Sequence, residues 1–138
     1  MEKLEKEVRS RIMSSVKSKN TSPEVTVRRV LHSMGYRFRL HRRDLPGTPD
    51  IVLPKYKIAI FVHGCFWHQH AGCHRATFPK SRQEFWLKKF QTNIDRDSKA
   101  EYLLHESGWK VETIWECETK CENKLLYRLE LIFNVAEP

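Results

Sequence analysis

The sequence predicts a single α/β domain in which a central mixed sheet is flanked by helices. Its 138 residues are enough for one hydrophobic core and too few for two. Segments with helical spacing of apolar residues are interspersed with short segments in which apolar and polar residues alternate. The resulting order is α, α, β, β, β, α, β, α, and residues 1–138 are assigned to one domain.

Two helices are predicted before the first strand. Residues 1–20 form a basic N-terminal helix or arm with apolar residues along one face. The second helix begins with Ser22 as the N-cap and Pro23 at the first helical position, and Glu24 lies near the positive end of the helix dipole. Gly35 ends this helix.

Three strands are predicted next. Residues 36–40 alternate between apolar and basic side chains, which is typical of a strand with one face in water. A turn rich in proline and glycine then leads to Asp50 and a short strand over residues 51–53. The apolar run over residues 57–62 predicts a buried central strand.

The second half of the chain predicts a loop, a helix, a strand and a final helix. Residues 63–80 have no clear period and predict a loop shaped by a metal. A capping box over residues 81–84 begins a helix that reaches Gly108, with a break near Asn93. Residues 109–115 alternate as a strand, and the last helix is marked by Leu125, Leu126, Leu129 and Ile132.

The charge of the chain indicates a polyanionic partner. The net charge is +8, and lysine and arginine are most concentrated in the first third. Such a surface attracts a phosphate backbone through counterion release, so nucleic acid is the predicted partner. No apolar run is long enough to cross a bilayer and no signal-like segment begins the chain, so we expect a cytoplasmic protein without a membrane partner.

The cysteines and histidines predict a metal site. Cytosolic cysteines that cluster with histidines favour a metal over a disulfide framework. Structural zinc takes four nitrogen or sulfur ligands, commonly with two or three from one short loop. Spacing alone leaves the choice of four open among seven candidates: Cys65, His68, His70, Cys73, His74, Cys117 and Cys121.

A second set of residues has the chemistry of a phosphodiesterase. Asp50 begins one strand and His63 ends the next, so a hairpin would bring them together. A carboxylate suits Mg²⁺, which usually keeps most of its water and takes only one or two protein carboxylates. His68 and Asp97 could form a pair in which the carboxylate orients a general base, and Glu24 is a further acidic candidate.

These motifs resemble those of the very short patch repair (Vsr) endonucleases, bacterial enzymes that nick DNA at T:G mismatches. The run from His63 to His68, with His70 and Cys73 after it, is the most specific part of the resemblance. The matching stretches occur in family order at residues 20–24, 45–50, 60–68, 84–86, 96–97, 108–109 and 115–117.

The resemblance implies a restriction-endonuclease-like fold of the PD-(D/E)xK type and an active site. Mg²⁺ would be bound by Asp50 and the main-chain carbonyl of Val62. Val62 stands where the best-known pattern has threonine, a change that a carbonyl ligand tolerates. The remaining active-site residues would be Glu24, His63, His68 and Asp97, with His68 as the base.

The resemblance also implies a zinc site and a surface that enters DNA. Zinc would be held by Cys65, His70, Cys73 and Cys117, leaving His74 and Cys121 outside. The aromatic side chains of Phe66, Trp67 and Trp86 would wedge into the duplex beside the mismatch, where unstacking is easier.

The sequence therefore predicts a strand-nicking DNA endonuclease specific for a T:G mismatch. Its expected cofactors are catalytic Mg²⁺ and structural Zn²⁺, its substrate is mismatched double-stranded DNA, and it is expected to act as a monomer. Mismatch-repair proteins are candidate partners. Two alternatives stay open: a nicking or restriction-associated nuclease acting on matched or modified DNA, and a zinc-dependent DNA-binding module without catalysis.

Overall fold

A mixed four-stranded sheet forms the centre of the computed structural model, which describes residues 20–136. The strands lie in the order β1-β2-β3-β4, and the first three are antiparallel whereas β3 and β4 are parallel. This arrangement confirms the predicted α/β class and mixed sheet. The predicted basic arm over residues 1–20 falls outside the described residues except for Asn20. The strands are β1 (Arg39–Leu40), β2 (Ile51–Leu53), β3 (Ile58–His63) and β4 (Lys110–Trp115).

Helices cover both faces of this sheet. The helices are α1 (Ser22–Ser33), α2 (Gln83–Glu106) and α3 (Glu122–Ala136). Apolar side chains of α1 and α3 form the main core with one face of the sheet, where Leu31, Ile60 and Leu129 are fully buried. Helix α2 lies against the other face, where its Asp97 and Glu101 line one small pocket together with residues of β3 and β4. None of the described helices is long and apolar enough to cross a membrane.

The start of α1 differs by one residue from the prediction. Thr21, and not Ser22, is the N-cap, and its hydroxyl accepts a hydrogen bond from the main-chain N–H of Glu24 at 3.4 Å. Pro23 lies in the first turn, and Gly35 follows the helix end with φ of +86°, as predicted. Thr21 takes the cap because its extended backbone directs the hydroxyl at the free N–H groups of the first turn.

The first strand is shorter than predicted. Only Arg39 and Leu40 of the predicted 36–40 segment pair with β2, opposite Val52 and Ile51. Tyr36 and Phe38 instead pack against the main core, and the ring of Tyr36 stacks on that of Phe133 with centroids 3.7 Å apart. The alternation of apolar and basic residues over 36–40 therefore reflects which side chains face the core, and it does not mark a strand of that length.

Helix α2 departs from the prediction at two points. Its N-cap is Arg82, which has a left-handed backbone and no capping side chain, so the capping box predicted over residues 81–84 is wrong. No break occurs near Asn93, and the helix is continuous over 24 residues. Asn93 is 5% exposed, and its side-chain amide donates to the main-chain carbonyl of Trp67 at 2.9 Å. That contact satisfies a polar group that would otherwise be buried without a partner.

A glycine sets how closely the loop before β2 approaches α2. Gly47 has φ of +73°, and a Cβ atom placed there would lie 2.5 Å from the Cβ of Ala100 and 3.2 Å from the ring of Phe61. Real Cβ atoms do not approach so closely, so any side chain would push the loop away from the helix.

We expect Gly47→Ala to lower the free energy of unfolding by roughly 2–4 kcal/mol, because the left-handed backbone and the clash with Ala100 both add strain. Gly35→Ala is the matched control, since Gly35 also has positive φ but has no atom within 4 Å of the added methyl. It should cost only about 1–2 kcal/mol. Urea unfolding of both variants measures the difference, and equal losses would show that close packing at Gly47 does not matter.

Candidate active site and metal centre

The hairpin of β2 and β3 brings Asp50 to the end of β3. Ile51 pairs with Ile60, so the residue before β2 lies beside the last residues of β3. One carboxylate oxygen of Asp50 accepts a hydrogen bond from the main-chain N–H of Val62 at 2.8 Å. The predicted proximity of Asp50 to Val62 and His63 is therefore present in the fold.

Glu24 lies beside Asp50, although it comes from α1. The residue is 1% exposed, and its carboxylate contacts Arg28 at 2.7 Å and the ring of His41 at 2.6 Å. It also accepts a hydrogen bond from the main-chain N–H of Asn20. Ligand atoms of Glu24, His41 and Asp50 all lie within 4.8 Å of one another. Two of the three residues, Glu24 and Asp50, offer carboxylate oxygens, which are the ligands that a hard divalent cation prefers.

The electrostatics of Asp50 favour a bound cation. Burial raises the pKa of Asp50 to about 7, and the negative charge of Glu24 adds to this, while the hydrogen bond from Val62 opposes it. Two carboxylates at close range in a poorly solvated site repel each other. A cation between them would remove that repulsion.

A second group lies at the same end of β3 and contains His63, His68 and Asp97. Nδ1 of His68 is 2.5 Å from Oδ2 of Asp97, which projects from α2. The rings of His63 and His68 are stacked, with centroids 3.8 Å apart and planes 2° from parallel. The predicted carboxylate–imidazole pair is therefore brought together, with His63 against it.

The ionisation of Asp97 decides which atom donates in its hydrogen bond with His68. Burial would raise the pKa of Asp97, but the hydrogen bond with His68 and the electrostatic influence of the neighbouring His63, His68 and Arg96 outweigh burial and hold that pKa below its usual value. An ionised carboxylate only accepts, so Nδ1 of His68 donates to Asp97 and Nε2 of a neutral ring keeps a lone pair. Burial, together with nearby His68, lowers the pKa of His63 to about 4, so His63 is uncharged at neutral pH.

Four of the seven metal-ligand candidates converge on one point. Ligand atoms of Cys65, His70, Cys73 and Cys117 all lie within 4.8 Å of one another. Nδ1 of His70 is 3.7 Å from the sulfur of Cys65 and 3.5 Å from that of Cys117. A zinc tetrahedron with ordinary bond lengths has edges of about 3.6–3.8 Å, so the donor set and its spacing fit Zn²⁺.

Two of the three thiols of this cluster, Cys65 and Cys117, would be unfavourable as thiolates without a cation. Burial raises the pKa of Cys65 to about 12, and neighbouring cysteines contribute to the shift. Burial also raises the pKa of Cys117, whereas the main-chain N–H of Arg75 lowers that of Cys73. Zinc binding displaces thiol protons and supplies the missing positive charge. Cys121 and His74 are exposed and lie outside the cluster.

A short 3₁₀ helix over Glu116–Thr119 positions Cys117, and the sequence patterns did not predict it. Its first turn is closed by Glu118, which accepts a hydrogen bond from the main-chain N–H of Trp115 at 2.9 Å. The main-chain N–H of Cys117 also donates to the sulfur of Cys65 at 3.4 Å. The turn thus directs Cys117 back toward the loop after β3.

The three aromatic residues predicted to enter DNA form one cluster. Phe66 lies 5.3 Å from Trp67 and 5.5 Å from Trp86, measured between ring centroids. All three are partly exposed, while Phe90 beneath them is 3% exposed and anchors the cluster to α2. The cluster is a partly exposed aromatic surface supported from below, and not part of the main core.

The sequence patterns missed His41 and the role of Asn93. His41 contacts Glu24, from which it is separated by 17 positions, and Asn93 contacts Trp67, from which it is separated by 26. Neither contact has a local spacing signal. The one signal for His41 in the sequence was its position next to Arg42 and Arg43, shortly before the Pro-Gly turn.

Comparisons with known proteins extend over almost the whole chain. A type II nicking enzyme, V.XorIIP of Xanthomonas oryzae pv. oryzae, is 49% identical over 137 residues, which cover 99% of this chain and 98% of the relative. A type II nicking enzyme, V.NmeAIP of Neisseria meningitidis, is 46% identical and covers 89% of this chain and 86% of its own length. The DNA mismatch endonuclease Vsr of Escherichia coli is 39% identical and covers 88% and 77%.

A family model agrees with these relatives. The model described as DNA mismatch endonuclease Vsr matches residues 1–75, more than half of the chain, and this region includes Glu24, Asp50 and the run from His63 to Cys73. With relatives of 49% and 46% identity across most of its length, this chain belongs to the Vsr endonuclease family.

Proposed function

We propose that this chain is a magnesium-dependent DNA endonuclease that nicks one strand at a T:G mismatch. The observation that carries the proposal is the His68–Asp97 pair, which lies with Asp50 at one end of β3. Phosphodiester hydrolysis needs a base for a water and positive charge near the phosphate, and these residues can provide both in one site. Membership in the Vsr family supports the same reaction.

His68 is the proposed general base. Asp97 accepts the hydrogen bond from Nδ1, which fixes the orientation of the ring and leaves Nε2 available to take a proton from water. His63 is uncharged and lies flat against His68, so it restricts the ring without adding a second positive charge. The 2.5 Å contact also stabilises the imidazolium that forms when the water is deprotonated.

The proposed cation site is formed by Asp50, Glu24 and the main-chain carbonyl of Val62. Bound Mg²⁺ would polarise the scissile phosphate and make a coordinated water more acidic. The hydrogen bond from Val62 fixes the Asp50 carboxylate, and Arg28 holds that of Glu24. Oxygen donors fixed in this way lose little freedom when a hard cation binds.

We propose that Zn²⁺ at Cys65, His70, Cys73 and Cys117 is structural. The loop after β3 has few buried apolar residues of its own, and Cys65 is its one fully buried hydrophobic side chain among the described core residues. A metal would therefore order the segment that carries His68 and the aromatic cluster.

Mismatch recognition is proposed for the aromatic cluster of Phe66, Trp67 and Trp86. A T:G pair stacks less well than a Watson–Crick pair, so insertion beside it is easier, and aromatic faces replace the lost stacking. The alternative substrate is a matched or modified duplex. It stays open because two relatives are described as type II nicking enzymes, a description that does not mention a mismatch. The Trp67 experiment below compares the two substrates directly.

The same proposal includes the restriction-endonuclease-like class of fold. The described order of helix, three strands, helix and parallel strand matches the core expected for that class, with the metal carboxylate at the start of β2. We also propose that the protein acts as a cytoplasmic monomer on duplex DNA, with mismatch-repair proteins as candidate partners.

We expect Asp50→Ala to reduce nicking in the presence of Mg²⁺ by about a thousandfold, equivalent to ~4 kcal/mol in the barrier. DNA affinity should change little, because phosphate contacts dominate binding. Asp44→Ala is the matched control, since Asp44 is an exposed carboxylate of the same loop that bonds only Arg42 in the contacts described. Normal cutting by Asp50→Ala would remove Asp50 from the reaction.

We expect Cys65→Ser and Cys117→Ser each to lose bound zinc and to lower Tm by about 10 °C or more, because the ion contributes its binding energy to folding. Cys121→Ser should change neither, since Cys121 is exposed and outside the cluster. Elemental analysis and thermal unfolding of purified protein measure both. Zinc lost from Cys121→Ser but retained in Cys117→Ser would reassign the fourth ligand.

We expect Trp67→Ala to reduce the ratio of mismatched to matched cleavage about tenfold, equivalent to ~1.4 kcal/mol, with a smaller effect on nonspecific binding. Nicking rates are measured on both duplexes at one salt concentration. Tyr127→Ala, which removes a 63% exposed aromatic ring from α3, should leave the ratio unchanged. An unchanged ratio in a folded, zinc-loaded Trp67→Ala would limit Trp67 to packing.

A further inference from the structure

His41 contacts both carboxylate residues of the proposed cation site. Nε2 of its ring is 2.6 Å from Oε1 of Glu24, and its main-chain N–H donates to the main-chain carbonyl of Asp50 at 3.1 Å. Glu24 comes from α1 and Asp50 from the loop before β2, so these two residues belong to separate parts of the fold. His41, just after β1, is connected to each of them by a hydrogen bond.

The contacts of Glu24 divide between its two oxygens. Arg28 and the main-chain N–H of Asn20 hold Oε2, while the ring of His41 holds Oε1. With all three present, both oxygens of the carboxylate are held. Without His41, Oε1 would lose its hydrogen bond to the imidazole, and the carboxylate would be less restrained beside Asp50.

This contact must also act against repulsion. Glu24 is 1% exposed, and its charge is one of the causes that raise the pKa of Asp50. Like charges that share a poorly solvated site separate unless other contacts hold them. The ring of His41 and the guanidinium of Arg28, which lie 3.4 Å apart, provide these contacts on the side of Glu24.

The backbone of His41 is itself strained. Its φ is +47°, in the left-handed region that is unfavourable for a residue with a side chain. A strained residue persists where surrounding contacts determine its conformation, and such residues are frequent at functional sites. Here the strained backbone directs the main-chain N–H at Asp50 and the ring at Glu24.

We propose that His41 is a positioning residue of the cation site, holding the carboxylate of Glu24 toward Asp50 so that both face one divalent ion. This inference rests on the proposed magnesium site. His41 acts through Glu24 and takes no part in proton transfer. Its removal therefore weakens cation binding more than it slows the reaction at saturating cation.

The test measures Mn²⁺ binding to the full-length, zinc-loaded protein without DNA, by electron paramagnetic resonance of the free ion. His41→Ala should weaken Mn²⁺ binding about tenfold. It should raise the Mg²⁺ concentration for half-maximal nicking by a similar factor, while kcat at saturating Mg²⁺ changes less than about threefold. His41→Gln should restore most of the affinity, because its side-chain N–H can reach Oε1 of Glu24.

Two further variants separate the possible failures. His32→Ala removes an exposed imidazole from the last turn of α1 and should bind Mn²⁺ like the unaltered chain. Asp50→Ala should lose the site altogether. If Asp50→Ala loses Mn²⁺ but His41→Ala binds it normally, the inference is wrong and the proposed metal site stands.

The remaining outcomes are also decisive. If Asp50→Ala binds Mn²⁺ as well as the unaltered chain, the proposed metal site is wrong and the inference fails with it. If His41→Ala and His41→Gln lose affinity equally and both lower Tm, His41 has a general structural role, which overturns the positioning role.

Discussion

The parallel pairing of β3 with β4 is the constraint on which both sites depend. In this register His63 lies opposite Trp115, so the two strands end side by side at the same end of the sheet. The chain leaves β3 into the loop with Cys65, and it leaves β4 into the 3₁₀ turn with Cys117. A shift by one residue would turn every side chain of β3 to the opposite face and separate these groups.

Trp115 connects the two sites physically. Its ring stacks on His70 of the thiol cluster, with centroids 4.0 Å apart and planes 7° from parallel. The same ring meets the edge of His63 at 5.4 Å, and His63 in turn stacks on His68. The position of the proposed base is therefore set partly by residues around the cysteines, although no cysteine contacts Asp97 in the described hydrogen bonds.

The sequence predicted those features whose signal is local or whose motif is specific. The apolar run before His63 predicted the central strand, and the dense cluster of cysteine and histidine predicted a metal-binding group. Resemblance to a family then chose four ligands from seven. Without that resemblance, spacing alone could not separate Cys117 from Cys121, because the 3₁₀ turn that directs Cys117 inward has no period of its own.

Features that depend on distant contacts could not be predicted in this way. Asn93 suggested a helix break, since the side chain of asparagine competes for backbone hydrogen bonds inside a helix. In the fold that side chain instead donates to a carbonyl in the loop after β3. The capping box before α2 also failed, because the N-cap is Arg82, which has a left-handed backbone and no capping side chain. His41 contributes through residues far from it in sequence.

The close approach of Gly47 to Ala100 has a consequence for how this family can vary. The glycine lies three residues before Asp50, and the alanine lies one helical turn after Asp97. The approach of the loop that leads to Asp50 toward the helix that carries Asp97 is therefore limited by two small residues outside the proposed active site. A larger side chain at either position demands a smaller one, or an altered loop, at the other. We therefore expect the two positions to vary together, since compensating substitutions there would change the spacing of the reactive groups while leaving each of those groups unchanged.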